Sequence, residues 1–163
     1  MTADLGVIDM TETAWAEVKK RAGADPTRET GGILLGWRHP GGIHVEQALE
    51  VPDREAGHTW YRRRHVPAEA ALAAALDQLP EESDIGYVGE WHSHPAPIGP
   101  SFGDRRELRR ISSNTRHEVA LIVAAHDPAA ATWAPYGLIG CRRRVRQTGV
   151  HITTREKPGE TSR

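Results

Sequence analysis

The chain has 163 residues with 21 basic and 22 acidic side chains, a length that favours a single domain with a sizeable core. Its net charge of −1 argues against a nucleic-acid or membrane partner held by bulk electrostatics, and its single cysteine excludes an internal disulfide framework. Because no apolar stretch approaches the ~20 residues of a transmembrane helix and the N-terminal residues lack a signal-peptide pattern, we expect a cytoplasmic protein.

The first elements that the sequence predicts are a helix and a strand. The segment from Asp9 to Ala22 places its apolar residues on one face, and Asp9 with Glu12 forms a capping pair at its start. The segment from Thr30 to Trp37 has the pattern of a strand. Gly31 and Gly32 weaken the interior of that strand, which indicates a bulge or the close approach of another backbone.

The middle of the chain predicts two further strands and a helix. Ile43 to Val51 alternates enough for a paired strand, and Thr59 to Val66 is a candidate strand with an exposed basic face. A substrate groove is one interpretation of that basic face, and a solvated edge strand is the preferred one. Pro67 fits the first position of a helix, and three leucines form its apolar stripe: Leu72, Leu76 and Leu79.

Chemically active side chains are concentrated at the end of the next strand, Ile85 to Trp91. His92 and His94 are two residues apart, so both imidazoles leave the same face if the strand continues through them. Pro95 then ends the ladder, and the following Pro/Gly-rich loop leads into a helix that Asp104 opens. Asp104 can therefore return to the histidines as a third ligand.

Two histidines, one carboxylate and an open fourth position are the ligand set of a catalytic zinc site, whereas a structural site would favour cysteine. The competing interpretation is that Ser101 and Asp104 are a capping box that only starts the helix. Taken together, the histidine pair, the proline-broken turn and the aspartate favour a metal site.

The rest of the chain predicts one helix followed by strands. Gly103 to Ser113 has a charged face, which suits either an acidic partner or solvent: Arg105, Arg106, Arg109 and Arg110. Val119 to Ala125 is an apolar run typical of a buried strand, and Thr132 to Cys141 is a further strand in which Pro135 indicates an edge or bulge. Residues 142–153 extend it or pair with it. We predict one domain, residues 1–154, and a disordered polar tail, residues 155–163.

Two segments together resemble the JAMM/MPN (JAB) metalloproteases, in which H-x-H-P, a loop and S-x-x-D carry the metal. EWHSHP followed by PSFGD matches that motif, and RETGGILLG, roughly sixty residues upstream, resembles the family's first-strand segment with Glu29 at its glutamate position. One departure is the loop length, because His94 and Asp104 enclose nine residues where the family usually has ten. We interpret this as one residue lost from the Pro/Gly loop.

The resemblance implies an α/β protein with the MPN (cytidine-deaminase-like) fold, a curved mixed sheet flanked by helices. It implies Zn²⁺ held by His92, His94 and Asp104, with Glu29 as the general base and Ser101 stabilising the oxyanion. Glu90, two residues before His92, is the rival base or a carboxylate that orients a histidine ring.

The activity that the resemblance implies is hydrolysis of an amide or isopeptide bond at the C-terminus of a ubiquitin-like protein, with E1- or E2-like proteins as further partners. One alternative is a peptidase that trims a sulfur-carrier protein or releases cysteine from it. Another is a non-catalytic MPN scaffold, which the presence of every motif residue argues against.

Overall fold

The computed structural model describes residues 6–51 and 65–154, with no side chain described for residues 65–68. These residues form three helices and eight strands. In order they are β1 (Val7–Thr11), α1 (Glu12–Gly23), β2 (Gly31–His39), β3 (Gly42–Glu50), α2 (His65–Asp77), β4 (Gly86–His94), α3 (Phe102–Ile111), β5 (Val119–Asp127), β6 (Thr132–Cys141), β7 (Arg144–Thr148) and β8 (Val150–Thr153). None of the helices described here is long and apolar enough to cross a membrane.

The eight strands form one mixed sheet in the order β7-β6-β5-β4-β2-β3-β1-β8. The β1–β3, β1–β8 and β4–β5 pairs are parallel and the other pairs are antiparallel. Only Gly149 separates β7 from β8, although these strands lie at opposite ends of the order. The sheet must therefore curve until its two edges almost meet, which confirms the predicted curved mixed sheet.

Helices cover both faces of this sheet. Helix α1 buries Trp15, Val18 and Ala22 in the larger core cluster, together with side chains from β1, β3, β4 and β5. On the opposite face, Leu108 of α3 packs in a second cluster with residues of β5 and β6. Burying a leucine of this kind stabilises the fold by about 2–5 kcal/mol relative to alanine. Strand β4 lies in the sheet between these two clusters, so its orientation decides which of its side chains face the predicted metal site.

The N-terminal helix begins later than the sequence predicts. Asp9 lies inside β1, where its Oδ2 atom is 3.6 Å from His39 Nε2, so the predicted capping pair of Asp9 and Glu12 is wrong. Thr11 is the N-cap instead, because its hydroxyl accepts a hydrogen bond from the Ala14 amide at 3.1 Å. The sequence did not predict strand β1, because a strand of five residues shows little periodicity.

Helix α2 packs through fewer leucines than predicted. Leu72 contacts the cluster around Ile33 and Leu35, but Leu76 is 37% exposed and Leu79 follows the end of the helix. The helix starts at His65, so Pro67 is its third residue and not its first as predicted. The predicted strand from Thr59 is wrong at its last two residues, while residues 59–64 lie outside the described part of the chain.

Other predicted features of the strands are confirmed. Strand β6 begins and ends at the predicted residues, Thr132 and Cys141. Pro135 lies in the part of β6 that pairs with β5 but not with β7, so it has the predicted edge position. The close approach of another backbone, predicted from Gly31 and Gly32, is present at Gly32. A Cβ atom on Gly32 would lie 1.7 Å from the Leu49 carbonyl oxygen. Glycine is therefore required where β2 passes β3.

Candidate metal centre

Strand β4 delivers both histidines to one point. The strand runs on to His94, as the spacing of the two imidazoles required, and their ring centroids lie 5.1 Å apart with an angle of 35° between planes. Pairing with Gly31 of β2 and Val123 of β5 holds His92 in register from both sides. Because β4 is an interior strand, backbone hydrogen bonds to its two neighbours hold in place the segment that carries both rings.

Asp104 comes back to both rings across the loop. Its Oδ1 atom is 2.9 Å from His92 Nε2, and its Oδ2 atom is 3.3 Å from His94 Nε2. The nine residues between His94 and Asp104 are thus enough to bring the carboxylate to the imidazoles. Within the same loop, the Ile98 carbonyl oxygen lies 3.0 Å from His94 Nδ1. A carbonyl only accepts, so this contact places the proton on Nδ1 and leaves Nε2 toward Asp104.

The capping interpretation of Ser101 and Asp104 is confirmed alongside these contacts. Ser101 is the N-cap of α3, and its hydroxyl accepts from the Asp104 amide at 3.1 Å while Asp104 Oδ2 accepts from the Ser101 amide at 2.6 Å. One carboxylate therefore closes the capping box and contacts both histidines. The two interpretations of S-x-x-D are not exclusive, because the capping box is what aims Asp104.

Electrostatics couples the three side chains. Burial alone would raise the pKa of Asp104, but its hydrogen bonds with His92 and His94 outweigh burial and hold that pKa well below its usual range. Burial opposes the charged form of His94, yet the hydrogen bonds to Asp104 and the Ile98 carbonyl raise its pKa. The charge states of Asp104 and His94 therefore depend on each other.

Glu29 lies beside this trio although it is far away in sequence. It is only 8% exposed, and burial raises its pKa to about 7, while the two histidines act to lower it and Asp104 to raise it. A carboxyl group with a pKa near neutrality can both accept and release a proton at that pH. The structure thus brings together His92, His94, Asp104 and Glu29, as the sequence predicted.

The segment that carries Glu29 is held by a residue that sequence reasoning missed, Ser93. This serine is 1% exposed and lies between the two histidines, on the opposite face of β4. Its hydroxyl accepts from the Thr30 amide at 3.0 Å, and its amide donates to the Thr30 carbonyl at 2.8 Å. No sequence signal marks Ser93, because its role depends on which segment lies next to β4.

The donor set suits a divalent cation. One ligand atom from each of His92, His94 and Asp104 lies within 4.8 Å of the others. Donors on a tetrahedral zinc ion are about 3.4 Å apart, since zinc–nitrogen and zinc–oxygen bonds are about 2.0–2.2 Å long. Small side-chain movements would satisfy that geometry, so the residues present fit zinc.

Two apolar side chains between His94 and Asp104 in the sequence are exposed, Ile98 in the loop and Phe102 at the start of α3. Ile98 is 59% exposed and Phe102 is 79% exposed, which is unusual for residues of this size. In the same loop, Gly99 packs against the ring of Tyr136 on β6, and a Cβ atom added to Gly99 would lie 3.1 Å from that ring. The backbone of this loop is therefore supported while its apolar side chains face outward.

Glu90 lies two residues before His92 in β4, so strand alternation places it on the face that carries His92 and His94. It is buried and accepts a hydrogen bond from the Tyr87 hydroxyl at 3.2 Å. Its suggested parts, rival base or orienter of a histidine ring, stay predictions.

A family model described as prokaryotic homologs of the JAB domain matches residues 11–136 of this chain. Two relatives carry the name CD-NTase/cGAS isopeptidase. The protein from Enterobacter hormaechei is 32% identical over 110 residues, which are 63% of this chain and 58% of the relative. The protein from Pseudomonas aeruginosa is 32% identical over 94 residues, which are 57% of this chain and 59% of the relative. The matches thus span about three fifths of these relatives' lengths.

Solved structures share the architecture at low sequence identity. A solution structure of a Desulfitobacterium hafniense protein superposes with a TM-score of 0.65 at 20% identity, covering 91% of this chain and 94% of the other. A solution structure of a Salinibacter ruber protein gives a TM-score of 0.56 at 23% identity, covering 93% and 95%. At these identities the likeness establishes the fold alone.

Proposed function

This chain belongs to the family of prokaryotic homologs of the JAB domain, and from that premise we propose that it is a zinc-dependent isopeptidase. Its curved, nearly closed sheet with flanking helices is the MPN fold expected of that family. The observation that carries the proposal is the convergence of two imidazoles and a carboxylate, with the buried carboxyl group of Glu29 beside them. The names of the two isopeptidase relatives support the same reaction class.

His92, His94 and Asp104 would hold the ion. The chemistry that zinc supplies when bound is Lewis-acid polarisation of the amide carbonyl and a lowered pKa of water. The Nδ1 contact of His94 with the Ile98 carbonyl fixes the ring so that Nε2 faces the ion's position.

Glu29 would carry the proton. It accepts a proton from the attacking water as the water oxygen bonds to the carbonyl carbon, and it returns that proton to the leaving amine as the carbon–nitrogen bond breaks. Its pKa of about 7 suits both transfers. A cation held by the three ligands would lower that pKa, which favours the proton-accepting form at neutral pH.

Residues of the loop and the start of α3 would position the substrate. The Ser101 hydroxyl accepts from the Asp104 amide, so its own proton can donate to the oxyanion that forms on the carbonyl oxygen. Phe102 and Ile98 offer exposed apolar surface to a residue of the substrate near the scissile bond.

Two conjugated proteins are candidate substrates. The sequence resemblance suggests the C-terminal tail of a ubiquitin-like protein, and the relatives' name suggests a conjugate of a CD-NTase. Processing of a sulfur-carrier protein is the alternative that uses the same residues. Proteins resembling E1 or E2 enzymes would form the bond that is hydrolysed.

The test uses two conjugates that release the same product. A ubiquitin-like protein and a CD-NTase are each joined through the C-terminal carboxyl group to the lysine side chain of one fluorescent peptide. We expect the zinc-loaded protein to release the peptide from at least one conjugate, and the CD-NTase candidate is supported if only that conjugate is cleaved. Release from neither conjugate would contradict the proposal.

The Glu29→Gln variant tests the role of Glu29. We expect it to keep its zinc and fold but to lose about 10²- to 10⁴-fold in hydrolysis, because the amide cannot accept the proton. Glu90→Gln is measured in parallel, because it alters the rival candidate base, which is also buried. Cleavage by Glu29→Gln at the wild-type rate would place the base elsewhere, with Glu90 next to examine.

A further inference from the structure

Six arginines lie on helix α3 and on the turn that contacts it. Four lie on the outward side of α3, and two form the turn between β6 and β7. We call this set the arginine surface: Arg105, Arg106, Arg109, Arg110, Arg142 and Arg143. Glu107 is the single acidic residue within the two segments.

Backbone contacts hold the two parts together. The Arg109 Nε atom donates to the Arg143 carbonyl at 3.2 Å, and the Arg142 amide donates to the carbonyl of Ser112, the C-cap of α3, at 3.1 Å. On the same side, Arg105 Nη2 donates to Gln147 Oε1 of β7 at 3.0 Å. The surface is therefore built on two elements fixed to each other and not on a loose loop.

The turn between β6 and β7 is sterically unfavourable for its residues. Arg142 and Arg143 have φ angles of 48° and 70°, in the left-handed region. Cys141 pairs with Arg144, so these two arginines are the whole loop of a two-residue hairpin. Such a turn favours asparagine and glycine, because a Cβ atom crowds the left-handed backbone. The chain nevertheless places a long cation at both positions.

Like charges also face each other along α3. Arg105 with Arg109, and Arg106 with Arg110, are four residues apart, a spacing at which equal charges repel. Arg110 is paired with Glu107, and cations near a helix C-terminus interact favourably with its dipole. Neither effect accounts for Arg106, nor for the arginines of the turn.

Three of the six guanidinium groups remain available to a partner. Within residues 6–51 and 65–154, the guanidinium groups of Arg106, Arg142 and Arg143 make no hydrogen bond or ion pair. Bound carboxylates would relieve the repulsion along the helix. The planar guanidinium also matches a carboxylate with two parallel hydrogen bonds.

We propose that the arginine surface is a docking site for an acidic segment of a partner polypeptide. Nucleic acid fits less well, because nucleic-acid-binding domains typically have pI values above 9 and this chain has a pI of about 6.8. Outside the arginine surface the chain carries 15 basic and 22 acidic residues, so an extended polyanion would meet repulsion beyond it. A short acidic segment would not.

The arginine surface lies partly on the helix that carries the candidate ligand Asp104. Helix α3 carries Asp104 in its first turn and has ten residues, so it spans about 15 Å. A protein whose acidic segment binds the arginine surface has its neighbouring chain close to the candidate metal centre. The docking itself does not depend on hydrolysis and goes beyond the proposed function.

A binding assay with defined probes tests the docking site. The probes are a fluorescent 20-residue polyglutamate peptide and a fluorescent 20-nucleotide oligothymidine, titrated with the full chain at 50 and 200 mM salt by fluorescence anisotropy. We expect the peptide to bind and the triple variant Arg106→Gln, Arg142→Gln, Arg143→Gln to bind it at least tenfold more weakly. The control triple variant Lys20→Gln, Arg21→Gln, Arg116→Gln removes the same charge from other exposed positions and should stay within twofold.

Each other result overturns the proposal in a recognisable way. Equal weakening by both triple variants means that binding follows net charge alone. Tighter binding of oligothymidine through the same three arginines means that the partner is a nucleic acid. Salt-sensitive self-association in sedimentation, abolished by the first triple variant, means that a second copy of the chain occupies the surface. Unchanged folding of both variants is checked by circular dichroism.

Discussion

Asp104 combines two sets of contacts in a single carboxylate. Oδ2 accepts the Ser101 amide and also faces His94, while Oδ1 faces His92. A change at Asp104 therefore removes a candidate ligand and a helix cap together, and the two losses must be separated by experiment.

The Asp104→Ala variant should lose zinc. With one of three ligands missing, we expect less than half of the wild-type zinc content after dialysis against micromolar zinc, measured by elemental analysis. The lost cap contributes about 1 kcal/mol to stability. Ser101→Ala is the matched control, because it removes the other half of the capping box and leaves all three candidate ligands. Unchanged zinc content in Asp104→Ala would remove this residue from the ligand set.

At the scale of elements, the site depends on how the start of β2 lies against the end of β4. Ser93 bonds Thr30 in both directions, and Glu29 is the next residue along the chain. The strand that carries the histidines on one face thus positions the glutamate through its other face. Further along β2, Gly32 lets the strand pass the Leu49 carbonyl.

The Ser93→Ala variant should disturb Glu29 without disturbing the ligands. Loss of the hydroxyl leaves the Thr30 amide without that acceptor, which costs about 1 kcal/mol. We expect normal zinc content, and if the same cost of about 1 kcal/mol falls on the transition state, kcat decreases about fivefold, since about 1.4 kcal/mol corresponds to a factor of ten. Ser113→Ala is the control, because it removes a serine hydrogen bond at the other end of α3. A wild-type kcat in Ser93→Ala would deny Ser93 a positioning role.

The Gly32→Ala variant should destabilise the sheet. Its Cβ would lie 1.7 Å from a backbone oxygen, so β2 or β3 must move, and we expect a loss of at least about 3 kcal/mol. Gly86→Ala, in β4, meets no heavy atom within 4 Å and should change stability by about 1 kcal/mol or less. Urea denaturation of both variants measures the difference, and equal midpoints would contradict the close approach.

At the scale of the whole molecule, the candidate metal centre joins two consecutive elements of the chain, with Glu29 from a distant segment beside them. His92, His94 and Asp104 come from β4 and α3, which lie on either side of the Pro/Gly-rich loop. Direct contacts of Asp104 with both imidazoles hold the three candidate ligands together in the folded chain. A ligand that binds only this folded arrangement must stabilise it.

Zinc should therefore raise the thermal midpoint without changing the fold. At free zinc 100-fold above its Kd, the stabilisation is about 2.7 kcal/mol. For a chain of this size that corresponds to about 5–10 °C in differential scanning calorimetry. A chelator should reverse the shift while the far-ultraviolet circular dichroism stays the same. Asp104→Ala should show no zinc-dependent shift, and a shift of equal size in that variant would place zinc elsewhere.

Local patterns in the sequence were sufficient for the histidine pair, the capping box and most elements after residue 80. His92 and His94 follow from strand periodicity, and Ser101 with Asp104 follows from helix-start chemistry. Periods of two and 3.6 residues act within a few neighbours, so they can be read without knowing the fold. The position of Glu29 came from family resemblance, because no local pattern connects it with β4.

Only the tertiary structure decided which distant segments meet. It made Val7–Thr11 a strand between β3 and β8, moved the helix cap from Asp9 to Thr11, and exposed Leu76. It also paired Ser93 with Thr30 and set the turn of Arg142 and Arg143 against the end of α3. These outcomes depend on strand pairing and packing between segments far apart in sequence, where the free energy is shared among many contacts and leaves little local signal.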